Sequence, residues 1–162
     1  MKTSSDSPSA PISRRALLVS ALLLGAGCAA TSTPKQGPQP AIQGLQVTVL
    51  VYSGRPNPSF VLEDSASLEH VRSALSSATE MRDFRGGTVL PSILGYNGVV
   101  VANPSRLAGL PASIAIHREK IEVHDGKTRF LTDGGALEAW LIDRAREKKL
   151  LGEREIAVIG KR

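Results

Sequence analysis

The sequence predicts an α+β fold, a small mainly antiparallel sheet packed by two helices, after a signal segment and a disordered linker. Three observations carry that expectation. Leu45 to Tyr52 and Ser113 to Leu131 alternate apolar and polar residues with the period of two that half-buried strands require. Asp125-Gly126 lies between two such runs and is a strong signal for a two-residue hairpin turn. Around Leu68 and again around Leu141 the apolar residues instead recur at helical spacing and so share one face of a helix. The expected organisation is an export signal over 1–27, an anchor cysteine and flexible linker over 28–43, and one α+β domain over 44–162.

In the first strand Leu45, Val47, Val49 and Val51 share one parity, while Leu50 and Tyr52 make its far end apolar on both sides. A strand of that kind belongs inside a sheet. It must stop near Ser53, because Pro56 and Pro58 cannot donate to a ladder and hold Arg55 and Asn57 in extended geometry. The resulting stiff loop makes Arg55 and Asn57, with Tyr96, candidates for ligand binding. If Arg55 faces a concavity shared with Asn57 or Tyr96, the loop is a ligand site; if Arg55 pairs with a helix end, the loop is architectural.

A helix is expected over Ser65 to Ala78, capped by Asp64 or Ser65 and buried along Leu68, Val71 and Leu75, with His70 on its flank. Thr79 to Pro91 is a polar connection. Its Gly86-Gly87 lacks the further glycines, lysine and hydroxyl of a phosphate-binding loop. Asn97-Gly98 suits a hairpin turn between Ser92–Tyr96 and Val99–Ala102. Asn103-Pro104 and Gly109-Leu110-Pro111 frame a loop or a short helical turn around Leu107.

With two-residue turns at Glu119-Lys120 and Asp125-Gly126, Ile116 falls opposite Val123, and Val123 opposite Thr128. The same register aligns His117, Glu122 and Arg129 as a polar row across the other face. That row is the best polar constellation the sequence offers, although the exposed face of a half-buried sheet carries charges in any case. The last helix is expected to start at Asp133, to bury Leu137, Trp140, Leu141 and Ala145, and to stop at Gly152. Trp140 is expected as its main core anchor. Glu155 to Ile159 reads as a short closing strand.

The amino terminus reads as an address. A polar start, Arg14-Arg15, an apolar stretch from Ala16 to Ala26 and small residues before Cys28 form an export signal too short to span a bilayer permanently. Ser13-Arg14-Arg15-Ala16-Leu17-Leu18 resembles the twin-arginine consensus, which implies export of an already folded domain. Leu24-Gly25-Ala26-Gly27-Cys28 resembles a bacterial lipobox, which implies lipidation of Cys28. Gly25 departs from the leucine usual at that place, and cleavage near Ala29 or Ala30 with an incidental cysteine is the alternative. Cys28 is the only cysteine in the chain, so it forms no intramolecular disulfide. Ala29 after it resembles the outer-membrane sorting pattern of a Gram-negative lipoprotein. From Ala29 to Gln43 the composition turns to Thr, Ser, Pro, Gln and Gly, which cannot bury enough surface to order itself.

The formal charge is +5, but three of the 20 basic residues and one of the 15 acidic ones precede Cys28, leaving 17 against 14 dispersed along the rest. With 4% aromatic residues, this does not point to nucleic acid. No clustered metal set and no nucleophile-elbow motif is present, and no cofactor is expected.

Tyr52-Ser53-Gly54-Arg55-Pro56-Asn57-Pro58-Ser59-Phe60, Leu94-Gly95-Tyr96-Asn97-Gly98 and Gly135-Ala136-Leu137-Glu138-Ala139-Trp140-Leu141 together resemble small secreted bacterial proteins that share a Ser-Gly-Arg-Pro-Asn-Pro motif. The resemblance implies a real folded domain and transfers no catalytic or binding residue. The functional expectation is a lipid-anchored, non-enzymatic envelope protein that binds an envelope partner or a small ligand. The alternatives are a small hydrolase or transferase using His117 with Glu122, or Arg55 with Asn57, and an inhibitor- or immunity-type protein presenting the Ser53 to Pro58 loop.

Overall fold

The computed structural model describes residues 43–160. The expected export signal with Arg14 and Arg15, the anchor Cys28 and the linker up to residue 42 lie outside the described residues. The elements are β1 (Leu45–Leu50), β2 (Ser59–Leu62), α1 (Ser65–Ser77), β3 (Gly98–Ala102), β4 (Ser113–His117), β5 (Lys120–Asp125), β6 (Lys127–Leu131), α2 (Gly135–Glu147) and α3 (Glu153–Gly160). The six strands form one sheet in the order β2-β1-β3-β4-β5-β6, with every neighbouring pair antiparallel. The fold is therefore α+β, as the alternation predicts, with three helices among the described residues where two were expected.

One face of the sheet carries Val47, Val49, Val99, Val101, Ile114, Ile116, Ile121 and Val123, all buried. Val71 of α1, Leu137, Leu141 and Ala145 of α2 and Ile159 of α3 join them in one core. Side chains of this size each contribute about 1.5–3 kcal/mol when fully buried. Apart from Ser67 of α1 and Glu138 of α2, the buried residues of the helices are apolar, so the helices dock mainly by shape and apolar area. Trp140, expected as the main anchor, is instead half-buried and stacks on exposed His70 with ring centroids 4.3 Å apart. The smaller Leu137 and Leu141 fill the centre.

The edges are short and partly covered. Pro58 sits at the entry to edge strand β2, where no donor is needed, and its carbonyl accepts Val49 N–H at 3.0 Å. On the opposite edge Met81 N–H donates to the Phe130 carbonyl and Thr132 N–H to the Thr79 carbonyl, both at 2.8 Å, so the segment after α1 pairs with the end of β6.

Helix α1 starts at the expected cap: the Asp64 carboxylate accepts Ser67 N–H at 2.8 Å. The hydrogen bonds from Ser67 hold the Asp64 pKa below its ordinary value. Three expectations are corrected. Asp133 does not cap α2; it takes a positive φ of 68°, and Gly134 is the N-cap. The helix ends at Lys148, with Lys149 in the left-handed conformation (φ 57°), and Gly152 begins α3 instead of stopping α2. Glu155 to Ile159 is helical, since the Glu155 carboxylate reaches back to Gly152 N–H at 3.0 Å and the Gly152 carbonyl accepts Ile156 N–H, half of a capping box.

Ser92–Tyr96 is not a strand. Gly98 opens β3 with φ 114°, and a Cβ there would overlap the Ile116 carbonyl of the neighbouring strand. Gly98→Ala is therefore expected to cost about 2–4 kcal/mol in chemical denaturation. Gly54→Ala, also at positive φ (83°) but with open space around it, should cost only about 1 kcal/mol.

Candidate functional site

The end of the sheet where β1 and β4 finish and β3 and β5 begin gathers most of the candidate residues. At its outer corner the Val51 to Pro58 loop closes on α3. Asn57 Oδ1 accepts Val51 N–H at 2.9 Å and Tyr52 N–H at 2.8 Å, satisfying the two backbone donors released where β1 stops. Tyr52 Oη donates to Glu155 Oε1 at 2.7 Å, and the Arg55 guanidinium lies 3.5 Å from the Tyr52 ring centre and 3.8 Å from the same Oε1. Arg55 thus pairs with the first turn of a helix, the arrangement that makes the proline loop architectural. Because Arg55 is largely exposed, its ion pair is the weaker part of this clasp, and the Tyr52 hydrogen bond the stronger. That hydrogen bond holds the Glu155 pKa below the ordinary carboxylate value, helped by backbone N–H groups and Arg55, and raises the Tyr52 pKa.

Beside the clasp, the loop before β3 is braced by one side chain. Asn97 Oδ1 accepts Ile93 N–H at 3.1 Å, while its Nδ2 donates to the Ile93 and Gly95 carbonyls at 2.9 and 3.0 Å. The Asn97 N–H donates to the Leu50 carbonyl at 2.8 Å and ties the loop to β1. This brace presents Leu94 at 89% exposure and Ile93 at 56%, and Val158 of α3, 38% exposed, stands next to them. They are three of the four large hydrophobic residues exposed among the described residues, and they line one groove. The groove measures about 400 Å³ and is completed by Gly95, Tyr96, His117, Arg118 and Ile159.

The polar side of the groove rests on a residue of α2 that sequence reasoning passed over. Glu138 is fully buried, and its Oε1 accepts Tyr96 Oη at 2.6 Å and Arg118 N–H at 3.0 Å. One oxygen therefore fixes both the loop before β3 and the turn between β4 and β5. Arg118 occupies φ 57° in that turn, a conformation side chains seldom adopt. The rings of Tyr96 and His117 lie 6.1 Å apart. Among the described residues the Arg118 guanidinium enters none of the ion pairs, while its neighbour Glu119 places its carboxylate against Gly135 at the start of α2.

The expected row of His117, Glu122 and Arg129 is not formed. The turn residues are Arg118-Glu119, so His117 pairs with Lys120 and Glu122 with Ala115, on the same face as His117 but one step along it. Between β5 and β6 the pairing Val123↔Arg129 replaces Val123↔Thr128, a shift of one residue that sends Arg129 to the helix-covered face. There Arg129 lines a groove of about 590 Å³ with Arg72, Glu80 and Asp125. Phe130 moves to the open face and stacks on Phe84, with centroids 4.3 Å apart. Glu122 is buried; its Oε1 lies 2.9 Å from His124 Nε2, and its Oε2 accepts Thr88 Oγ1 and Val89 N–H. It fastens the loop after α1 onto the sheet.

The structure thus brings Tyr96 and His117 together and separates Arg55, Asn57, Glu122 and Arg129 from them. Arg118, Glu138, Glu155 and His124 were not singled out from the sequence. The spacing of Gly152 and Glu155 was a usable signal for the helix cap; nothing marks Glu138, which looks like any helical surface charge. Among the described residues no cluster of three or more His, Cys, Asp or Glu side chains could hold a metal ion. No protein-family profile, curated protein or solved structure matches the chain.

The clasp predicts a pH dependence with a defined sign. Glu155, whose folded pKa is lowered, contributes stability that is complete above the ordinary carboxylate range and is lost as pH falls through its folded value. Tyr52, whose folded pKa is raised, contributes stability that is complete below about pH 10 and is lost as pH rises through its folded value. Denaturant midpoints measured across pH should fall at both extremes, and Tyr52→Phe should flatten the alkaline fall. Asn57→Ala, which leaves two backbone donors without their acceptor, is expected to cost about 1–3 kcal/mol at neutral pH.

Proposed function

We propose that the chain is a lipid-anchored cell-envelope protein whose folded domain is a non-enzymatic binding module. The anchor reading rests on the sequence: Arg14-Arg15, the apolar stretch and Cys28 as the single cysteine. The binding reading rests on one observation, the clustering of Ile93, Leu94 and Val158 around the groove that contains Tyr96, His117 and Arg118. An exposed apolar cluster on a loop held by four hydrogen bonds of one asparagine is a surface kept ready for contact.

The direction of β1 adds to the argument. The chain enters the domain at Gly44, before β1, and the groove lies beyond the other end of that strand, roughly 20 Å away for six extended residues. The hydrolase or transferase alternative has less support, since Glu122 is engaged by His124, Thr88 and Val89, and Asn57 by backbone. The inhibitor-type alternative would draw on the rigid Ile93-Leu94 tip in place of the proline loop.

Intact mass and membrane fractionation of the natively expressed protein test the anchor. Wild type is expected to begin at a diacylated Cys28 and to fractionate with membranes; Cys28→Ala should lose both, and Arg14→Lys together with Arg15→Lys should block export. A soluble wild type of unmodified mass would overturn the anchored reading.

A further inference from the structure

We infer that the groove between the Ile93–Tyr96 loop, the β4–β5 turn and α3 is a binding site for an anionic amphiphile, an aliphatic chain ending in a carboxylate or phosphate. The inference deepens the proposed binding role by naming its ligand class. The two halves of such a molecule find two chemically distinct halves of one groove. Ile93, Leu94, Val158 and Ile159 supply aliphatic wall, and at about 400 Å³ the space is in the range of single small-ligand sites. Arg118, with Tyr96 and His117 beside it, supplies the polar end.

Charge decides the sign of the head group. The Arg118 guanidinium is not in any of the ion pairs among the described residues. None of the neighbouring carboxylates forms an ion pair with it among the described residues. Glu138 is below the groove on Tyr96 Oη and Arg118 N–H, Glu155 is on Tyr52 and Gly152, and Glu119 is against α2. An arginine among the lining residues of an aliphatic groove favours a carboxylate or phosphate, to which a guanidinium can donate two parallel hydrogen bonds.

The position is also preset. The Arg118 backbone, at φ 57°, donates its N–H to a fully buried oxygen, and Tyr96 Oη donates to the same oxygen, so the backbone that carries the polar end is set before any ligand arrives. Gly95, at φ 104°, lets the loop approach α3 so closely that a Cβ there would sit 3.2 Å from the Val158 side chain. The aliphatic half is therefore built by the contact between two elements.

The test uses the full chain carrying Cys28→Ala, so that its result does not depend on whether the natural protein is lipidated. Decanoate and decyl phosphate, kept monomeric, are titrated by calorimetry and by amide chemical shifts, with neutral decyl glucoside and acetate as controls. Saturable binding of both anions is expected, with shifts centred on Gly95, Arg118 and Val158, and little binding of either control. Arg118→Gln should weaken anion binding by about tenfold or more. Leu94→Ser should weaken it as well. Arg118→Gly keeps the fold control separate, because glycine accepts the left-handed backbone: it should lose anion affinity while unfolding no earlier than wild type. Absence of saturable binding, shifts scattered away from the groove, equal binding of decyl glucoside, or anion affinity unchanged in Arg118→Gln would each overturn the inference. If the anchor test fails while this titration succeeds, the groove assignment stands alone; the reverse result leaves an anchored protein with a different ligand.

Discussion

A single buried carboxyl oxygen organises the end of the sheet on which the functional reading depends. Glu138 projects from α2 and accepts from Tyr96 Oη and from Arg118 N–H, which belong to the loop before β3 and to the β4–β5 turn. Glu138 is fully buried, so each buried donor left without its acceptor would cost about 1–3 kcal/mol. Helix, loop and turn are therefore locked as one unit, and an arginine can be kept in a backbone conformation it would otherwise avoid. Two more glutamates act in the same way. Glu122 fastens the Thr88-Val89 stretch across β5, and Glu155 joins the proline loop to α3. The connection between α1 and β3 runs from residue 78 to 97 with only one bridge residue of regular pairing, a length at which a loop needs such fastening to hold a shape.

This division of labour separates the two ends of the molecule. The apolar face of the sheet and the stripes of α1 and α2 supply the stability, and they need no polar contact to do so. The polar fastenings are concentrated in the loops, where they set geometry. Exposed Ile93 and Leu94 gain little from folding, yet the Asn97 side chain makes three hydrogen bonds to the loop that displays them. That combination is what distinguishes a presented surface from scattered apolar residues, which occur singly on any protein. It also explains why the motif around Arg55 and Asn57 is informative about architecture: its prolines and asparagine close the β1–β2 connection and dock it on α3.

The sheet and its apolar face were legible because alternation reports burial directly. Leu45 to Leu50, α1 with its Asp64 cap, and β4 and β5 follow from pattern alone. The register was not legible, and the cause can be named. A turn at Arg118-Glu119 requires a positive φ at arginine, which propensity argues against; the buried Glu138 oxygen overrides that preference, and no pairwise spacing points to it. At Asp125-Gly126 only Gly126 separates the paired residues Asp125 and Lys127 where a two-residue turn was expected, and that one-residue difference in register reversed the faces of Arg129 and Phe130. Glu155 to Ile159 is a short apolar run whose period fits strand and helix alike, and the Glu155 side chain at the helix start decides it. Tyr96 and His117 were found as candidates through unrelated arguments, and they meet where the start of β3 lies beside the end of β4 and Glu138 binds both neighbouring segments.

Hydrogen exchange at the Arg118 amide, compared between wild type and Glu138→Leu, tests this account most directly. Leucine keeps the bulk and removes the acceptor. The account predicts that exchange at Arg118 and through residues 93–97 accelerates by an order of magnitude or more while amides of β1 and β3 keep their protection, a local opening of the groove on an intact sheet. Wild-type protection at Arg118 in Glu138→Leu would show that the turn and loop hold their geometry without the carboxyl, and would contradict the central claim.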